Sequence, residues 1–205
     1  MQSKQHWEKV YTTKAATEVS WFQEHALLSL KLIRDAGVPS AAAIIDVGGG
    51  SSTLVDDLLA QGYENVTVLD LSGTALATAR SRLGARAAHV QWIEADALEA
   101  DLPAQAYDVW HDRAVFHFLT SAEERRAYVQ KVLRAVKPGG LVIVATFAED
   151  GPSHCSGLPV MRYSANQLYA EFAEPFLLLG HARESHRTPG GSEQKFVYCF
   201  CRKVA

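Results

Sequence analysis

The sequence is poor in cysteine, methionine and proline, since its 205 residues include three, two and seven of them, respectively. Three scattered cysteines are too few for the disulfide framework that holds small secreted domains together. Because Cys155, Cys199 and Cys201 form no Cys-x-x-Cys pair, we predict no metal site and treat Cys199 and Cys201 as core residues. The chain must therefore fold around a hydrophobic core, and it is long enough to build one.

Long apolar runs and an excess of charge are also missing. No stretch stays apolar for the roughly 18–20 residues that cross a bilayer, and the first residues lack the apolar segment of a secretory signal. The formal net charge of -3 provides no basic field to attract nucleic acid. We therefore expect a cytoplasmic protein without a membrane or nucleic-acid partner, and the oligomeric state stays open.

What the sequence does contain is a buried strand that ends in glycines. Residues 44–47 are Ile-Ile-Asp-Val, followed directly by Gly48, Gly49 and Gly50. Such glycines let the backbone approach a bulky ligand, because no Cβ stands in the way. The next short strand ends at Asp70, about twenty residues further on, where a carboxylate can accept hydrogen bonds from ribose hydroxyls. The pair predicts a nucleoside-bearing cofactor at the carboxyl edge of a parallel sheet.

The chemistry of the turn favours a cationic cofactor over a dinucleotide. A dinucleotide site has a third glycine where this chain has Thr53, and it binds a pyrophosphate at the helix N-terminus. The carboxylate of Asp46, just before the glycines, would repel a pyrophosphate and attract a cation. S-adenosylmethionine has an ammonium, a sulfonium and no phosphate, so we favour it over NAD or FAD. The simpler alternative is that Asp46 only hydrogen-bonds amides of the turn.

Strands and helices alternate along most of the chain. The predicted strands cover 42–47, 66–70, 89–94, 107–111, 141–147, 176–183 and 195–202, and the predicted helices cover 1–36, 52–60, 73–83, 122–136 and 164–172. The alternation predicts a doubly wound parallel sheet with helices on both faces. The last two strands are too close in sequence for a helical crossover and should form an antiparallel hairpin. Residues 137–140 predict a turn, and 148–163 a long loop.

Five motifs, in this order, resemble those of the class I S-adenosylmethionine-dependent methyltransferases. They are Asp-Val-Gly-Gly-Gly at 46–50, Val-Leu-Asp-Leu-Ser at 68–72, Glu-Ala-Asp-Ala at 94–97, Tyr-Asp-Val-Trp at 107–110 and Leu-Arg-Ala-Val-Lys-Pro-Gly-Gly at 133–140. Each is weak alone, but together they follow the family's spacing. The resemblance covers about residues 41–203 and implies a Rossmann-like, seven-stranded sheet that is mostly parallel and has an antiparallel strand in its C-terminal hairpin.

The resemblance also implies which residues bind the cofactor. The glycines would pass beneath its methionine part, with Asp46 holding the ammonium. Asp70 would bind the ribose hydroxyls, and Leu71 would lie against the adenine. Asp96 would accept from the adenine amino group, and Ala97 would offer a backbone amide. The complete implied set is Trp21, Asp46, Gly48, Gly49, Gly50, Asp70, Leu71, Asp96 and Ala97.

The N-terminal stretch is similar to the lead-in of a methyltransferase subgroup that includes protein-lysine methyltransferases. The similar residues are Trp-Glu-Lys-Val-Tyr at 7–11 and Glu-Val-Ser-Trp-Phe at 18–22. In that subgroup the segment closes over the cofactor, which implies a lid that includes Trp21. The expected organisation is one domain, 1–205, with a helical lid at 1–40, a cofactor-binding half at 41–147, and a substrate loop and hairpin at 148–205.

In this family the segment after the fourth strand lies beside the transferred methyl group, and here it reads His-Asp-Arg. It matches neither the Asn-Pro-Pro-Tyr motif of amino-base methyltransferases nor the acidic pattern of the lysine enzymes. We predict His111 as a general base, Asp112 as its charge partner and Arg113 as an anchor for an anionic acceptor. The alternative for each is a structural role. The other candidate bases are His117, His154 and His186.

The sequence supports methyl transfer but does not identify the acceptor. We expect a small molecule, such as a thiol, a metalloid or a carboxylic acid, because the chain has few added elements to grip a macromolecule. Arg162 and Tyr163 in the long loop could bind a carboxylate. The alternatives are a protein-lysine methyltransferase, an NAD(P)-dependent oxidoreductase, and a non-catalytic module that only binds S-adenosylmethionine.

Overall fold

The computed structural model describes residues 4–204, which form a seven-stranded sheet, a small separate hairpin and helices. The strands are β1 Ala43–Val47, β2 Asn65–Asp70, β3 Val90–Glu94, β4 Tyr107–Arg113, β5 Val136–Phe147, β6 His154–Cys155, β7 Leu158–Pro159, β8 Phe176–Arg187 and β9 Glu193–Lys203. The helices are α1 Lys4–Thr13, α2 Leu27–Asp35, α3 Leu54–Ala60, α4 Gly73–Leu83, α5 Ala122–Ala135 and α6 Ala165–Phe172. Two short 3₁₀ helices cover Gly84–His89 and Phe116–Phe118. Among residues 4–204, no helix has the length and apolar composition to cross a membrane.

The sheet has the strand order β3-β2-β1-β4-β5-β9-β8. Strands β1 to β5 pair in parallel, whereas β9 is antiparallel to both β5 and β8. The predicted doubly wound sheet with an antiparallel C-terminal hairpin is thereby confirmed. Because β1 pairs with β2 on one side and β4 on the other, the order of the chain reverses there. A crevice opens at the carboxyl ends of strands at such a reversal, and ligands bind in it.

Helices cover both faces of the sheet and bury a separate apolar cluster on each. One cluster includes side chains of α5 and α6, namely Tyr128, Val132, Leu168 and Phe172. The other includes side chains of α2, α3 and α4, namely Leu30, Ile33, Leu54, Leu58 and Leu76. Apolar side chains of the strands point into both clusters, so the central strands are buried on both faces, as their nearly continuous apolar sequences predict.

The N-terminal segment differs from the predicted continuous helix over 1–36. Two helices, α1 and α2, are separated by turns over 14–26, and residues 1–3 lie outside the described part. The reason is tertiary contact. Val19 is buried, the carbonyl of Ser20 accepts a hydrogen bond from His186, and that of Trp21 accepts one from Arg113. These contacts with the sheet and the C-terminal hairpin prevent one continuous helix.

Two other segments contain more strand than the sequence predicts. Strand β5 starts at Val136, which pairs with Tyr107, and its ladder resumes at Leu141, which pairs with Val109. The predicted turn at 137–140 therefore lies within β5 as an irregularity, with Gly139 at a φ of 77°. In the long loop, β6 and β7 form a short antiparallel hairpin.

A buried polar cluster fixes the chain where it leaves β4. The carboxylate of Asp112 accepts hydrogen bonds from the backbone amides of Val115, at 2.9 Å, and Phe116, at 3.0 Å. It also accepts one from the Tyr128 hydroxyl, which itself accepts one from Trp110 Nε1 at 3.1 Å. Burial raises the pKa of Asp112 to about 6, although these hydrogen bonds oppose the shift. Asp112 thus holds the turn after β4.

We expect Tyr128→Phe to lower the free energy of unfolding by about 1–3 kcal/mol, because it leaves the buried Trp110 Nε1–H without its partner and removes a donor to Asp112. Tyr169→Phe is the matched control, since its hydroxyl donates one hydrogen bond, of 2.9 Å, to a carbonyl at a less buried position. Urea denaturation of both variants measures the difference. Equal losses would contradict the role given to the buried cluster.

Candidate cofactor and active site

A cavity lies at the carboxyl ends of β1, β2 and β4, with an empty volume of about 810 Å³ including its mouth. We call it the main cavity. It is lined by Trp7, Tyr11, Trp21, Gly48, Leu69, Asp70, Leu71, Ala95, Asp96, Ala97, Leu98, Arg113, Ala114, Val115, Phe118, Leu119 and Cys155. A second space, the Asp46 cavity, adjoins it and shares Tyr11, Trp21, Gly48 and Arg113. It also contains Asp46, Gly49, Ser51 and His111 in its wall.

The glycine turn after β1 is closely surrounded by neighbouring side chains. Gly48 has a φ of 70°, and a Cβ there would lie 2.0 Å from Val115 Cγ2. A Cβ at Gly49 would lie 2.5 Å from Asp46 Oδ2, and one at Gly50 would lie 2.6 Å from Asp70 Oδ2. Glycine is therefore required here so that two carboxylates can stand next to the backbone.

Asp70 ends β2, lines the main cavity and is 7% exposed. Its Oδ1 accepts a hydrogen bond from the backbone amide of Ser72 at 2.8 Å. Burial raises the pKa of Asp70 to about 7, and the negative charges of Asp46 and Glu8 add to that rise. A ligand that donates hydrogen bonds to this carboxylate would therefore stabilise its ionised form.

Asp46 is connected to α2 through His111. Its Oδ1 is 2.7 Å from His111 Nδ1, and His111 Nε2 is 2.8 Å from Ser29 Oγ. All three side chains are buried. The Oδ2 atom of Asp46 is buried and has no hydrogen-bond partner among residues 4–204. Both ring nitrogens of His111 are engaged by protein groups, and the arrangement does not support the predicted general base.

Arg113 lines both cavities, but its charge is matched within the protein. Its guanidinium is 3.0 Å from Glu184 Oε2, and its Nε donates to the Tyr198 hydroxyl at 3.0 Å. The group lies 4.1 Å from the centroid of the Phe196 ring. Arg113 also donates to the carbonyl of Trp21 at 3.2 Å, which ties the N-terminal segment to the sheet. These contacts favour a structural role for Arg113, which connects the N-terminal segment to the sheet, over the predicted role as an anchor for an anionic acceptor.

An aromatic wall of the main cavity is formed by Trp7, Tyr11 and Trp21 of the N-terminal segment together with Phe118 of the 3₁₀ helix after β4. The Trp7 ring packs edge-on against Phe118, at 5.2 Å between centroids, and against Trp21, at 5.8 Å. Trp7, Tyr11 and Phe118 were missed as site residues. The spacing of Trp7 and Tyr11, four residues apart on one helix face, was the available signal.

At the other end of the main cavity lie Leu71, Asp96 and Ala97. Asp96 is half-buried, and its Oδ1 accepts a hydrogen bond from the Leu98 amide at 2.8 Å. Burial raises the pKa of Asp96. Eight of the nine residues predicted to bind the cofactor thus line this pair of adjoining cavities. The ninth, Gly50, lies next to Asp70.

Asp112 and the other polar candidates lie outside both cavities. His117 is buried, its Nδ1 accepts a hydrogen bond from the Phe147 amide, and burial lowers its pKa to about 3. Arg162 donates to the carbonyl of Gly151, and Tyr163 is buried. These contacts do not support His117 as a general base, and they do not support Arg162 and Tyr163 as a binding site for a carboxylate. His154 is exposed and His186 bonds the N-terminal segment.

The cysteines are all buried. Cys199 and Cys201 lie on one face of β9 with their sulfur atoms 4.0 Å apart, and Cys155 lines the main cavity. Burial raises the pKa of Cys155 to about 12, against the opposing influence of Arg113. Within the part of the chain that the structure describes, no group of three or more His, Cys, Asp or Glu side chains could hold a metal ion.

Gly48→Ala should destabilise the protein more than Gly62→Ala. Both positions have a positive φ, 70° and 84°, and an alanine costs about 1–2 kcal/mol at either. A Cβ at 62 meets nothing within 4 Å, whereas one at 48 meets Val115, which adds about 1–3 kcal/mol of overpacking. Urea denaturation measures the difference. Adding Val115→Ala to Gly48→Ala should reduce the extra destabilisation. If it does not, a clash between the new Cβ and Val115 is not its cause.

Asp70→Asn should change how stability depends on pH. The ordinary pKa of the carboxyl is 3.8 and the folded one about 7. Between these values the folded protein binds more protons here than the unfolded chain, so the contribution of Asp70 to stability falls as pH rises through that window and then levels off. The variant lacks this titration and should gain stability relative to the wild type from about pH 4 to about pH 7.

Denaturation at several pH values measures this difference. Asp150→Asn is the control, because Asp150 is exposed and its pKa is lowered, with the hydrogen bond from Lys195 as the largest cause. Above about pH 4 that carboxyl is ionised in both states, so its difference from the wild type should stay level. If the stability difference between Asp70→Asn and the wild type did not change with pH, the raised pKa of the buried Asp70 carboxyl would be contradicted.

Several known proteins that resemble this chain are methyltransferases. A family model for a methyltransferase domain matches residues 44–140. An uncharacterized methyltransferase of Mycobacterium bovis is 32% identical over 125 residues, which are 60% of this chain and 59% of that protein. The human EEF1A lysine methyltransferase 2 is 22% identical over 192 residues, 86% of this chain and 75% of that protein. The match to a mouse eEF1A lysine and N-terminal methyltransferase spans 22% of its length.

Solved structures share the fold. A structure solved for the conversion of a disulfide bond into a thioacetal group during echinomycin biosynthesis has a TM-score of 0.76 and 21% identity, covering 98% of this chain and 92% of that one. The 1,6-didemethyltoxoflavin-N1-methyltransferase of Burkholderia thailandensis, with bound 1,6-didemethyltoxoflavin and S-adenosylhomocysteine, has a TM-score of 0.68 and 21% identity, covering 99% of this chain and 84% of that one. Residues 44–140 therefore match a methyltransferase-domain family, and the described chain has the fold of these solved structures.

Proposed function

We propose that this protein binds S-adenosylmethionine and transfers its methyl group to a small, largely apolar nucleophile, with a thiol as the favoured class. The observation that carries the donor part is the buried Oδ2 of Asp46, which has no hydrogen-bond partner among residues 4–204 and belongs to a side chain in the wall of a cavity. A buried carboxylate oxygen in that state is stabilised by a cation. The ammonium of the donor would supply it.

The remaining residues of the two cavities fit the other parts of the donor. Asp70 would accept hydrogen bonds from the ribose hydroxyls, and Leu71 would contact the adenine. The half-buried Asp96 would accept from the adenine amino group, next to the backbone amide of Ala97. The glycine turn lies between the two carboxylates and carries no Cβ that would narrow the space. The match of residues 44–140 to a methyltransferase domain favours this donor over a dinucleotide.

The donor supplies an activated methyl group, and the chain's own residues would orient the two reactants and exclude water. Positioning alone is worth up to about 7–11 kcal/mol in favourable cases. The aromatic wall of Trp7, Tyr11, Trp21 and Phe118 would shield the methyl group. Arg113 would hold Trp21 in that wall through the backbone carbonyl.

The acceptor part rests on the surroundings of the main cavity. Apart from Asp70 and Asp96, assigned to the donor, its charged lining side chain is Arg113, and Glu184 pairs with that guanidinium. The described lining contains no histidine. An acceptor that needs little help to lose its proton is therefore favoured. A thiol has a pKa of about 8.5, against about 10.4 for a lysine amine.

Protein lysine is the second candidate, because a relative that matches 86% of this chain is named as a lysine methyltransferase. The aromatic wall is the feature against it, since α1 covers the main cavity and leaves less room for a polypeptide. A metalloid or a carboxylic acid remains within the small-molecule class, although the pairing of Arg113 with Glu184 weakens the argument for a carboxylate.

Calorimetry with S-adenosylhomocysteine tests the donor part. We expect the wild type to bind, and Asp46→Asn and Asp70→Asn to weaken binding by about 1–3 kcal/mol each, the range for a hydrogen bond to a charged group. Asp150→Asn, on an exposed carboxylate that pairs with Lys195, is the matched control and should bind as the wild type does. Preference for NAD over S-adenosylhomocysteine would overturn the proposal.

Transfer of a radiolabelled methyl group tests the acceptor part. Aromatic and aliphatic thiols, arsenite, carboxylic acids and total cell protein are offered in parallel at one donor concentration. We expect label in a thiol product and a faster rate as the pH approaches the pKa of the thiol, because the thiolate is the nucleophile. Label in protein lysine alone would replace the favoured class with the second candidate.

A further inference from the structure

We infer that Ser29 and His111 are positioning residues that fix the Asp46 carboxylate for the ammonium of the donor. The inference rests on the proposed function and adds to it two residues that would not touch the donor. It also extends the donor site to α2, which packs on the same face of the sheet as α3 and α4. The three side chains form a line from Ser29 through His111 to Asp46, which we call the Asp46 relay.

The sheet brings the relay together. In the parallel pairing of β1 with β4, Asp46 and His111 are direct partners, so their side chains leave the same face of the sheet side by side. The distance from Nδ1 to Oδ1 is 2.7 Å, and that from Nε2 to Ser29 Oγ is 2.8 Å. The three residues are 3%, 2% and 1% exposed, in the order Asp46, His111, Ser29. Water therefore does not compete for these hydrogen bonds.

The direction of the hydrogen bonds follows from the carboxylate. An ionised carboxylate only accepts, so His111 Nδ1 carries a proton and donates it to Asp46 Oδ1. In a neutral ring Nε2 then accepts from the Ser29 hydroxyl, and in a protonated ring it donates to Ser29 Oγ. In both cases the Ser29 contact fixes the ring and Nδ1 points at Asp46. A neighbour on the other nitrogen sets the orientation of a histidine in this way.

The relay leaves Asp46 with one engaged and one free oxygen. Oδ1 is bound to His111, and Oδ2 stands beside Gly49 without a hydrogen-bond partner among residues 4–204. Without the relay, the carboxylate would rotate about its Cβ–Cγ bond, and Oδ2 would not be held in one orientation.

The test compares two ligands, because a positioning role for the ammonium predicts a selective loss. S-adenosylhomocysteine has the amino-acid part, and 5′-methylthioadenosine has the adenosine and the sulfur without it. We expect His111→Ala to weaken calorimetric binding of S-adenosylhomocysteine about tenfold or more and to change that of 5′-methylthioadenosine less than about twofold. Ser29→Ala should show the same selectivity with a smaller loss, about three- to tenfold.

His111→Asn provides the rescue. The asparagine amide can donate to Asp46 from close to the position of Nδ1, so binding of S-adenosylhomocysteine should recover to within about threefold of the wild type. Asp46→Asn, measured alongside, gives the selectivity expected when the carboxylate charge itself is lost. Retained binding of 5′-methylthioadenosine shows that each variant is folded. If His111→Ala does not fold, Ser29→Ala and His111→Asn decide the question with the same two ligands.

Three outcomes separate this inference from the proposed function. If the wild type binds neither ligand, the proposed function fails, and the inference fails with it. If the wild type binds both, and His111→Ala and Ser29→Ala weaken both ligands equally, the two residues are only structural and the inference alone is overturned. Unchanged binding of S-adenosylhomocysteine by both variants also overturns it.

Discussion

Two buried carboxylates at one edge of the sheet set the conditions for the rest of the site. Asp46 and Asp70 lie near the carboxyl ends of neighbouring parallel strands, and repulsion between them adds to the effect of burial on the pKa of Asp70. Burying such groups is costly unless hydrogen bonds or a cation compensate for it. The protein provides part of the compensation through the Ser72 amide and the His111 ring, and it makes room with Gly49 and Gly50. The glycines, the relay and the proposed cationic donor are consequences of one electrostatic requirement.

A second charged group links this edge to the segments that cover it. The guanidinium of Arg113, at the end of β4, reaches across the Phe196 ring on β9 to Glu184 on β8 and also bonds the carbonyl of Trp21. Gln23 and the backbone of Ser20 bond Glu184 and His186 of the same hairpin. The C-terminal hairpin therefore holds the N-terminal segment over the main cavity. Closure of the cavity depends on residues from both ends of the described chain.

Local signals in the sequence predict the elements well, because strands, glycine turns and serine caps are determined by near neighbours. Ser72 and Ser121, for example, each cap the helix that starts at the next residue, α4 and α5. The function given to His111 could not be read in this way, because its partners Asp46 and Ser29 are 65 and 82 residues away. The break between α1 and α2 has the same origin, since contacts with the distant hairpin decide it. Sequence reasoning thus named most of the predicted cofactor residues that line the two adjoining cavities, and long-range packing decides which contacts the polar residues beside them make.

The electrostatics of the donor site and the chemistry of the acceptor would act in the same direction as pH changes. With its pKa raised to about 7, Asp70 accepts hydrogen bonds from ribose hydroxyls best above that pH, where it is ionised. A thiol acceptor also becomes more reactive as it ionises towards its pKa of about 8.5. His111 is engaged by Asp46 and Ser29, and Asp112 by the turn after β4, so the arrangement supports neither as a base that activates the acceptor. Under the proposed function, methyl transfer is therefore governed by donor affinity and acceptor ionisation, and the protein contributes chiefly by positioning the two reactants.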